Sequence, residues 1–141
     1  MRRALCAVVA AALALVAACD PERREAASVV AAVDRYRKAE MGAKGPLADA
    51  LAAVECSEPA VCAARDACLA AARPTVKGAA LKKEVESSLA DLRAGKITQD
   101  EASSRALPQK LADAERLLDE GRVKIASCDQ QATALRLKYG L

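Results

Sequence analysis

The chain has 141 residues, with 22 basic and 19 acidic side chains, six cysteines, and no histidine, tryptophan or phenylalanine. This length suits one small domain, and the near-balance of charge gives no electrostatic case for a nucleic-acid partner. Without histidine the most common general base and metal ligand is missing, so we expect no catalytic residues, metal or cofactor. Bulky apolar side chains are scarce and alanine is abundant, which favours closely packed helices over a thick globular core.

The first 18 residues have the three zones of a secretory leader. Two arginines come first, an apolar run covers residues 4–16, and the small residues Ala17 and Ala18 precede Cys19. The apolar run is shorter than the about 20 residues that a membrane-spanning helix needs. Both arginines depart with the leader, so the 22 basic residues become 20 against 19 acidic ones, a net charge of about +1.

Residues 16–19, Val-Ala-Ala-Cys, with Leu15 just before them, resemble the lipobox of bacterial lipoproteins. The resemblance covers only the leader. It implies a diacylglyceryl group on the Cys19 sulfur, cleavage just before Cys19, and acylation of the new amino group by a chain such as palmitate. Several acyl chains on one residue form a durable anchor, which implies a bacterial cell-envelope location on the periplasmic side of the inner or outer membrane. The alternatives are an ordinary signal peptide and an uncleaved anchor helix.

The predicted organisation has three parts. Residues 1–18 form the signal peptide, residues 19–24 a lipidated N-terminus and short tether, and residues 25–141 a single helical domain. No segment alternates with period two over β-branched residues, so the expected fold class is all-α. The expected architecture is an elongated, disulfide-stapled helical bundle with a long antiparallel hairpin at its C-terminal end.

The first predicted helix spans residues 22–41, with an apolar stripe formed by Ala26, Val29, Val33 and Tyr36. Two glycines and a proline in residues 42–46 predict a break. A short helix follows over residues 46–55. The next helix begins near Ser57, which is a candidate N-cap.

Pro74 predicts a kink in, or the end of, the helix that contains it. Helical spacing then resumes as far as Gly95, which suits a C-terminal cap. A turn is predicted over residues 97–106, where Thr98 and Glu101 form a candidate capping box.

The last segment carries a heptad seam, because apolar or small residues recur at alternating steps of four and three over more than four heptads. Gly121 lies on the seam and is interpreted as a close helix crossing. We expect the seam to pack on the preceding helix in an antiparallel hairpin; the alternative is a docking surface for a partner helix or an intermolecular coiled coil. The seam consists of Leu107, Leu111, Ala114, Leu118, Gly121, Ile125, Cys128, Ala132, Leu135 and Tyr139.

Four cysteines remain once Cys6 is removed with the leader and Cys19 is assigned to the lipid. An even number in an oxidising compartment predicts disulfides, and the spacing matches no zinc or redox motif. Six residues along one helix rise about 9 Å, beyond the about 7 Å that separates bridged Cα atoms, so Cys62 does not pair with Cys68. A hairpin turn near Thr98 favours the pairs Cys56 with Cys62 and Cys68 with Cys128. The alternative, Cys56 with Cys68 and Cys62 with Cys128, applies if Pro74 makes a corner.

Charged residues outside the apolar stripes predict solvated helix faces. In the last helix, acidic and basic side chains stand three or four positions apart, as in surface ion pairs. The basic group Arg35, Arg37, Lys38 and Lys44 is interpreted as a charged face, with contact to lipid headgroups as the alternative.

These features predict a membrane-anchored envelope lipoprotein that is not an enzyme and has a structural or protein-interaction role. Its expected partners are the membrane, through lipidated Cys19, and an unidentified envelope protein. The architecture resembles that of secretion-system pilotins, some of which are small helical lipoproteins with a disulfide, although no motif carries this likeness. The alternative function is a binding module for an apolar or lipidic ligand between helices, with room beside the small residues Ala114, Gly121 and Ala132.

Overall fold

The structure, a computed structural model, describes residues 20–141; the predicted leader and Cys19 lie outside this part of the chain. The described part is all-α and contains no strand, so the predicted fold class is confirmed. None of its helices combines the length and the apolar character needed to cross a bilayer. Its elements are α1 (Pro21–Lys38), η1 (Met41–Ala43, a 3₁₀ helix), α2 (Lys44–Ala52), α3 (Pro59–Arg93), α4 (Ala102–Arg105) and α5 (Leu107–Tyr139).

Helix α1 begins earlier than the sequence predicts. The Asp20 carboxylate accepts a hydrogen bond from the backbone N–H of Arg23 at 3.2 Å, as an N-cap does. Pro21 occupies the first turn, where an N–H would have no helical partner. Residues 21–24 were predicted to belong to a tether, but they form the first turn of α1. The folded body therefore starts one residue after Cys19.

The core lies where α1 and α2 pack on the first half of α3 and the second half of α5. The predicted stripe of α1 is buried at Ala26, Val29 and Val33, whereas Tyr36 is only half-buried. The largest fully buried side chains are those of Leu51, Val29, Val33 and Val61. Valine and alanine thus supply most of the buried surface, and the helices must lie close together to bury it.

Helices α3 and α5 form the long antiparallel hairpin. A Cβ atom added to Gly121 would lie 2.1 Å from Thr75 Oγ1 and 2.9 Å from the carbonyl oxygen of Ala71. A Cβ atom added to Gly78 would lie 2.9 Å from the carbonyl oxygen of Ala114. All three distances are too short for a real Cβ atom, so glycine is what allows the two backbones to approach at these crossings.

Two disulfides staple the bundle. Cys68 of α3 is bonded to Cys128 of α5, with 4.4 Å between their Cα atoms, and Cys56 is bonded to Cys62, with 5.5 Å between theirs. These are the pairs that a hairpin turn near Thr98 favours. The first bond joins the two long helices, and the second closes the loop before α3 onto its second turn.

A kink or a helix end was predicted at Pro74; helix α3 continues through this residue to Arg93, so the helix does not end there. A proline inside a helix costs about 3 kcal/mol, because it removes a hydrogen bond and its ring meets the carbonyl one turn before. Helix α3 is fastened to α5 on both sides of Pro74, by the Cys68–Cys128 disulfide before it and by the Gly78 crossing after it. Tertiary packing therefore outweighs the local preference.

The seam of α5 packs within the chain, as expected, but it is not continuous. Leu111 is 39% exposed and Ile125 is 51% exposed, whereas Leu117, which lies outside the seam, is buried. The seam residues that recur every seven positions from Leu107 to Leu135 are all buried, so the contact follows this position of the heptad, and the second seam position faces it only in part. The buried seam residues are Leu107, Ala114, Gly121, Cys128, Ala132 and Leu135, with Leu118 and Tyr139 partly buried.

The turn of the hairpin shows the predicted cap at Gly95 and one of the two bonds of the predicted capping box, since the Thr98 hydroxyl bonds to the Glu101 carboxylate and not to its N–H. Gly95 has a φ of 67°, and the N–H of Lys96 donates to the carbonyl oxygen of Asp91 at 3.0 Å, so the end of α3 is closed by a left-handed glycine. The Glu101 carboxylate accepts from the N–H of Thr98 at 2.9 Å. These local caps reverse the chain between the two long helices.

Replacing Gly121 with alanine tests the close crossing. The new Cβ atom meets the carbonyl oxygen of Ala71, which cannot rotate away, so we expect Gly121→Ala to lower the free energy of unfolding by about 1–3 kcal/mol, as overpacked cores do. Gly45→Ala is the matched control, because its Cβ atom meets only Val76 Cγ1 at an ordinary 3.7 Å. Urea unfolding followed by circular dichroism, with both disulfides intact, measures the difference. Equal stability of the two variants would contradict the crossing.

Candidate functional site

A cavity of about 200 Å³ lies between α1, α2, α3 and α5, beside the Cys68–Cys128 disulfide. We call it the hub cavity. Most of its wall is apolar, and the half-exposed Ile125 stands at its rim. The lining residues are Val33, Tyr36, Arg37, Lys44, Leu51, Cys68, Ala71, Thr75, Ile125 and Cys128.

Lys44 places a cation at the hub cavity. Its Nζ donates to the carbonyl oxygens of Tyr36 at 2.7 Å and Arg37 at 3.4 Å, and it lies 4.4 Å from the centroid of the Tyr36 ring. It therefore satisfies the last carbonyls of α1, at the end where the helix dipole favours a cation. Burial lowers the pKa of Lys44 and raises the pKa of the Tyr36 phenol.

Arg37 places a second cation at the cavity. Its guanidinium forms an ion pair with Asp129, and its Nη2 donates towards Cys128 Sγ at 3.8 Å. The cavity therefore combines an apolar wall with two cationic side chains. Such an arrangement suits a small ligand with an apolar body and an anionic group.

The sequence did not mark Arg37 and Lys44 as a site, although it placed both in a charged group. They meet only because η1 and α2 turn back along the end of α1. The small residues Ala114, Gly121 and Ala132, which suggested room for a ligand, lie in the packed hairpin and do not line the cavity. Tyr36 before the glycine-rich break and Lys44 within it were the available signal, and it is a weak one.

A second feature is an open groove of about 680 Å³ where η1 and α2 meet the hairpin. We call it the arm groove, since the hairpin extends beyond it as a two-helix arm. The core cluster stops at Leu69 on α3 and resumes at Cys128 on α5, so the arm lies outside it. The groove is lined by Met41, Gly42, Gly45, Val76, Ala79, Ala80, Lys82, Lys83, Glu86 and Leu118.

The third feature is the end of the bundle where the described chain begins. Arg23 Nε donates to the carbonyl oxygen of Tyr139 at 3.1 Å, and the Tyr139 hydroxyl donates to the Glu22 carboxylate at 3.2 Å. The first turn of α1 is therefore fastened to the last turn of α5. We call this region the anchored end, because it follows Cys19 directly.

The start of α3 is also tied to the anchored end. Ser57 was predicted to be the N-cap of α3, but the N-cap residue is Glu58, whose side chain makes no capping hydrogen bond. Glu25 of α1 binds the residue before it, since its carboxylate accepts from the Ser57 hydroxyl at 2.6 Å and from the Ser57 N–H at 2.7 Å. The Ser57 hydroxyl bond, followed by the N–H bonds of Ser57 and Glu58, lowers the pKa of Glu25. Lys138 Nζ lies 3.0 Å from the Glu58 carboxylate, and its pKa is raised by hydrogen bonding to Tyr139 and then to Glu58.

Cys68, Cys128 and the buried seam residues thus serve the packing of the hairpin, and Cys56 and Cys62 close the loop before α3. Cys19 lies outside the described residues. Within residues 20–141, no group of three or more cysteine, aspartate or glutamate side chains is placed to hold a metal ion. Comparisons with protein-family models, with curated proteins and with solved structures found no match to this chain.

Proposed function

We propose that this protein is a lipid-anchored cell-envelope lipoprotein with a non-catalytic role, in which the helical arm binds another envelope protein. A pilotin-like role in a secretion system is a more specific form of the same proposal. The observation that carries the interaction role is the arm groove, where apolar surface is left open beside a protruding hairpin.

The lipobox residues support the anchor. Val16, Ala17 and Ala18 precede Cys19, and the folded body begins directly after it, at Asp20. Two disulfides within the body suit an oxidising compartment such as the periplasm. Acylated Cys19 would hold this body at the membrane.

The shape and charge of the arm groove support a helical partner. Met41 is 48% exposed at its edge, and Val76, Ala79 and Leu118 are partly buried within it. A partner helix laid along the groove would cover these side chains and extend the bundle beyond the point that α1 and α2 reach. The exposed Lys82 and Lys83 favour acidic residues on the flank of that helix.

Substitution of Cys19 tests the anchor. Cys19→Ser removes the thiol that the diacylglyceryl group requires, so we expect no incorporation of labelled palmitate, and either release of the protein or accumulation of the precursor. Labelling of envelope proteins in the native host, followed by membrane fractionation, measures both effects. Unchanged labelling of the Cys19→Ser variant would refute the lipobox assignment.

A charge placed in the arm groove tests the interaction. Ala80 is exposed, so Ala80→Glu leaves the fold intact but puts a carboxylate where a partner's apolar side chains would lie. We expect it to weaken partner binding about tenfold or more, equivalent to about 1.4 kcal/mol. Val123→Glu is the control, because Val123 is 71% exposed and does not line the groove.

The measurement is cross-linking and capture from solubilised envelopes of the native host, with the same captured protein quantified for both variants. A partner that is retained by Ala80→Glu but lost by Val123→Glu would contradict the assignment to the groove.

The hub cavity favours a second candidate function, a binding module for a small apolar ligand. Its volume of about 200 Å³ is below the about 300–1,000 Å³ of typical ligand sites, so a short chain or a single ring suits it better than a whole lipid. Arg37 and Lys44 would attract an anionic group on such a ligand.

Octanoate, an apolar chain with a carboxylate, is a suitable probe of the hub cavity. We expect saturable binding by calorimetry that weakens about tenfold in Ile125→Trp, since the larger ring would obstruct the rim. Val123→Trp is the matched control, because Val123 lies two residues away on α5, is exposed, and does not line the cavity. No saturable binding, or equal binding by the two variants, would argue against the module.

A further inference from the structure

Covalent geometry places the proposed lipid anchor directly against the helical bundle. Consecutive Cα atoms lie about 3.8 Å apart, so Cys19 adjoins Asp20, whose carboxylate caps α1 at 3.2 Å from the Arg23 nitrogen. Helix α1 begins at Pro21. No tether separates the acylated residue from the folded body, so the anchor restricts how the body lies on the membrane.

The last turn of α5 lies beside the same point. Arg23 and Glu22 in the first turn of α1 both hydrogen-bond to Tyr139, through its carbonyl oxygen and its hydroxyl group. The N–H of Leu141 donates to the carbonyl oxygen of Arg136 at 3.1 Å, which fixes Leu141 against the end of α5. The end of α5 is therefore a defined surface next to Cys19.

Two leucines of this surface face solvent. Leu137, in the last turn of α5, is 81% exposed, and Leu141, which follows the left-handed Gly140 at the end of the helix, is 41% exposed. Two exposed cationic side chains lie at this end of the bundle, since Arg23 donates to the carbonyl oxygens of Tyr139 and Gly140, and Lys138 adjoins Leu137 in the chain. Apolar side chains bordered by long cationic ones are typical of segments that lie in the headgroup region of a bilayer.

We propose that the anchored end is a membrane-contact surface, in which Leu137 and Leu141 enter the headgroup region of the bilayer while the arm stands away from it. The proposal rests on the proposed acylation of Cys19. The surface faces the phospholipid bilayer, because the acylated Cys19 precedes Asp20 at this end of the bundle and its acyl chains lie in the bilayer. Helix α5 has 33 residues and is about 50 Å long, so the hairpin turn would lie far from the membrane, within reach of a partner.

Tryptophan reporters can test this orientation, because the chain contains no tryptophan. Leu137→Trp places the reporter in the proposed contact, and Val123→Trp is the matched control. Val123 is 71% exposed and lies on nearly the same face of α5, about 21 Å further from the anchored end. Both positions are exposed, so neither variant is expected to disturb folding; circular dichroism checks this.

Each variant is purified in its mature form from membranes of the native host, and mass spectrometry reports the acyl groups on Cys19. The protein is then reconstituted into vesicles of phosphatidylethanolamine and phosphatidylglycerol that carry nitroxide-labelled lipid. We expect about twofold quenching of the tryptophan at position 137, since interfacial segments lie about 5–10 Å into the headgroup and acyl boundary, and little quenching at position 123.

Three results would overturn the orientation in an acylated protein. Equal quenching at both positions means that α5 lies flat on the bilayer, and no quenching at either means that the body stands off it. Protection of position 137 from both lipid nitroxide and aqueous acrylamide means that a protein covers this surface. A mature protein without acyl groups on Cys19 overturns the proposed anchor as well. Mass spectrometry therefore shows whether the orientation alone has failed or the anchor too.

Discussion

Helices α3 and α5 approach each other closely because glycine stands where their backbones cross. At Gly78 and Gly121 there is no room for a Cβ atom between the helices. The Cys68–Cys128 disulfide, with Cα atoms 4.4 Å apart, lies in the same contact and requires the same short separation. The remaining elements pack on this hairpin, so its spacing sets the depth of the core and the position of every surface feature.

A core of valine and alanine contributes less hydrophobic stabilisation than one of large side chains, because less apolar area is buried. Covalent bonds compensate for this. In the chain-entropy model, a disulfide that spans 60 residues contributes about 4 kcal/mol, and one that spans six residues about 2 kcal/mol. Polar contacts between elements add to this, since Glu25 of α1 accepts hydrogen bonds from Ser57 just before α3 and Arg136 of α5 pairs with Asp34 of α1.

Helices α1 and α2 cover only part of the hairpin, and the candidate sites lie where that cover is incomplete. The hub cavity remains where four helices meet around small side chains, and the arm groove opens beside η1 and the start of α2. The anchored end lies at the opposite end of α1 from the hub-cavity residues Arg37 and Lys44. In the proposed function, one end of the molecule therefore contacts the membrane while the arm remains free to bind a partner.

Helical periodicity, caps and cysteine spacing are local properties, so the sequence by itself determined the all-α class, the hairpin turn near Thr98 and the left-handed cap at Gly95. Those features were predictable because their causes lie within a few residues of each other. Only the tertiary structure decided that α3 continues through Pro74, that Leu117 rather than Leu111 is buried, and that Lys44 meets Tyr36. Each of these depends on contacts between helices far apart in the chain. The free energy of that packing exceeds the local conformational preferences of single residues, and only those preferences can be read from the sequence.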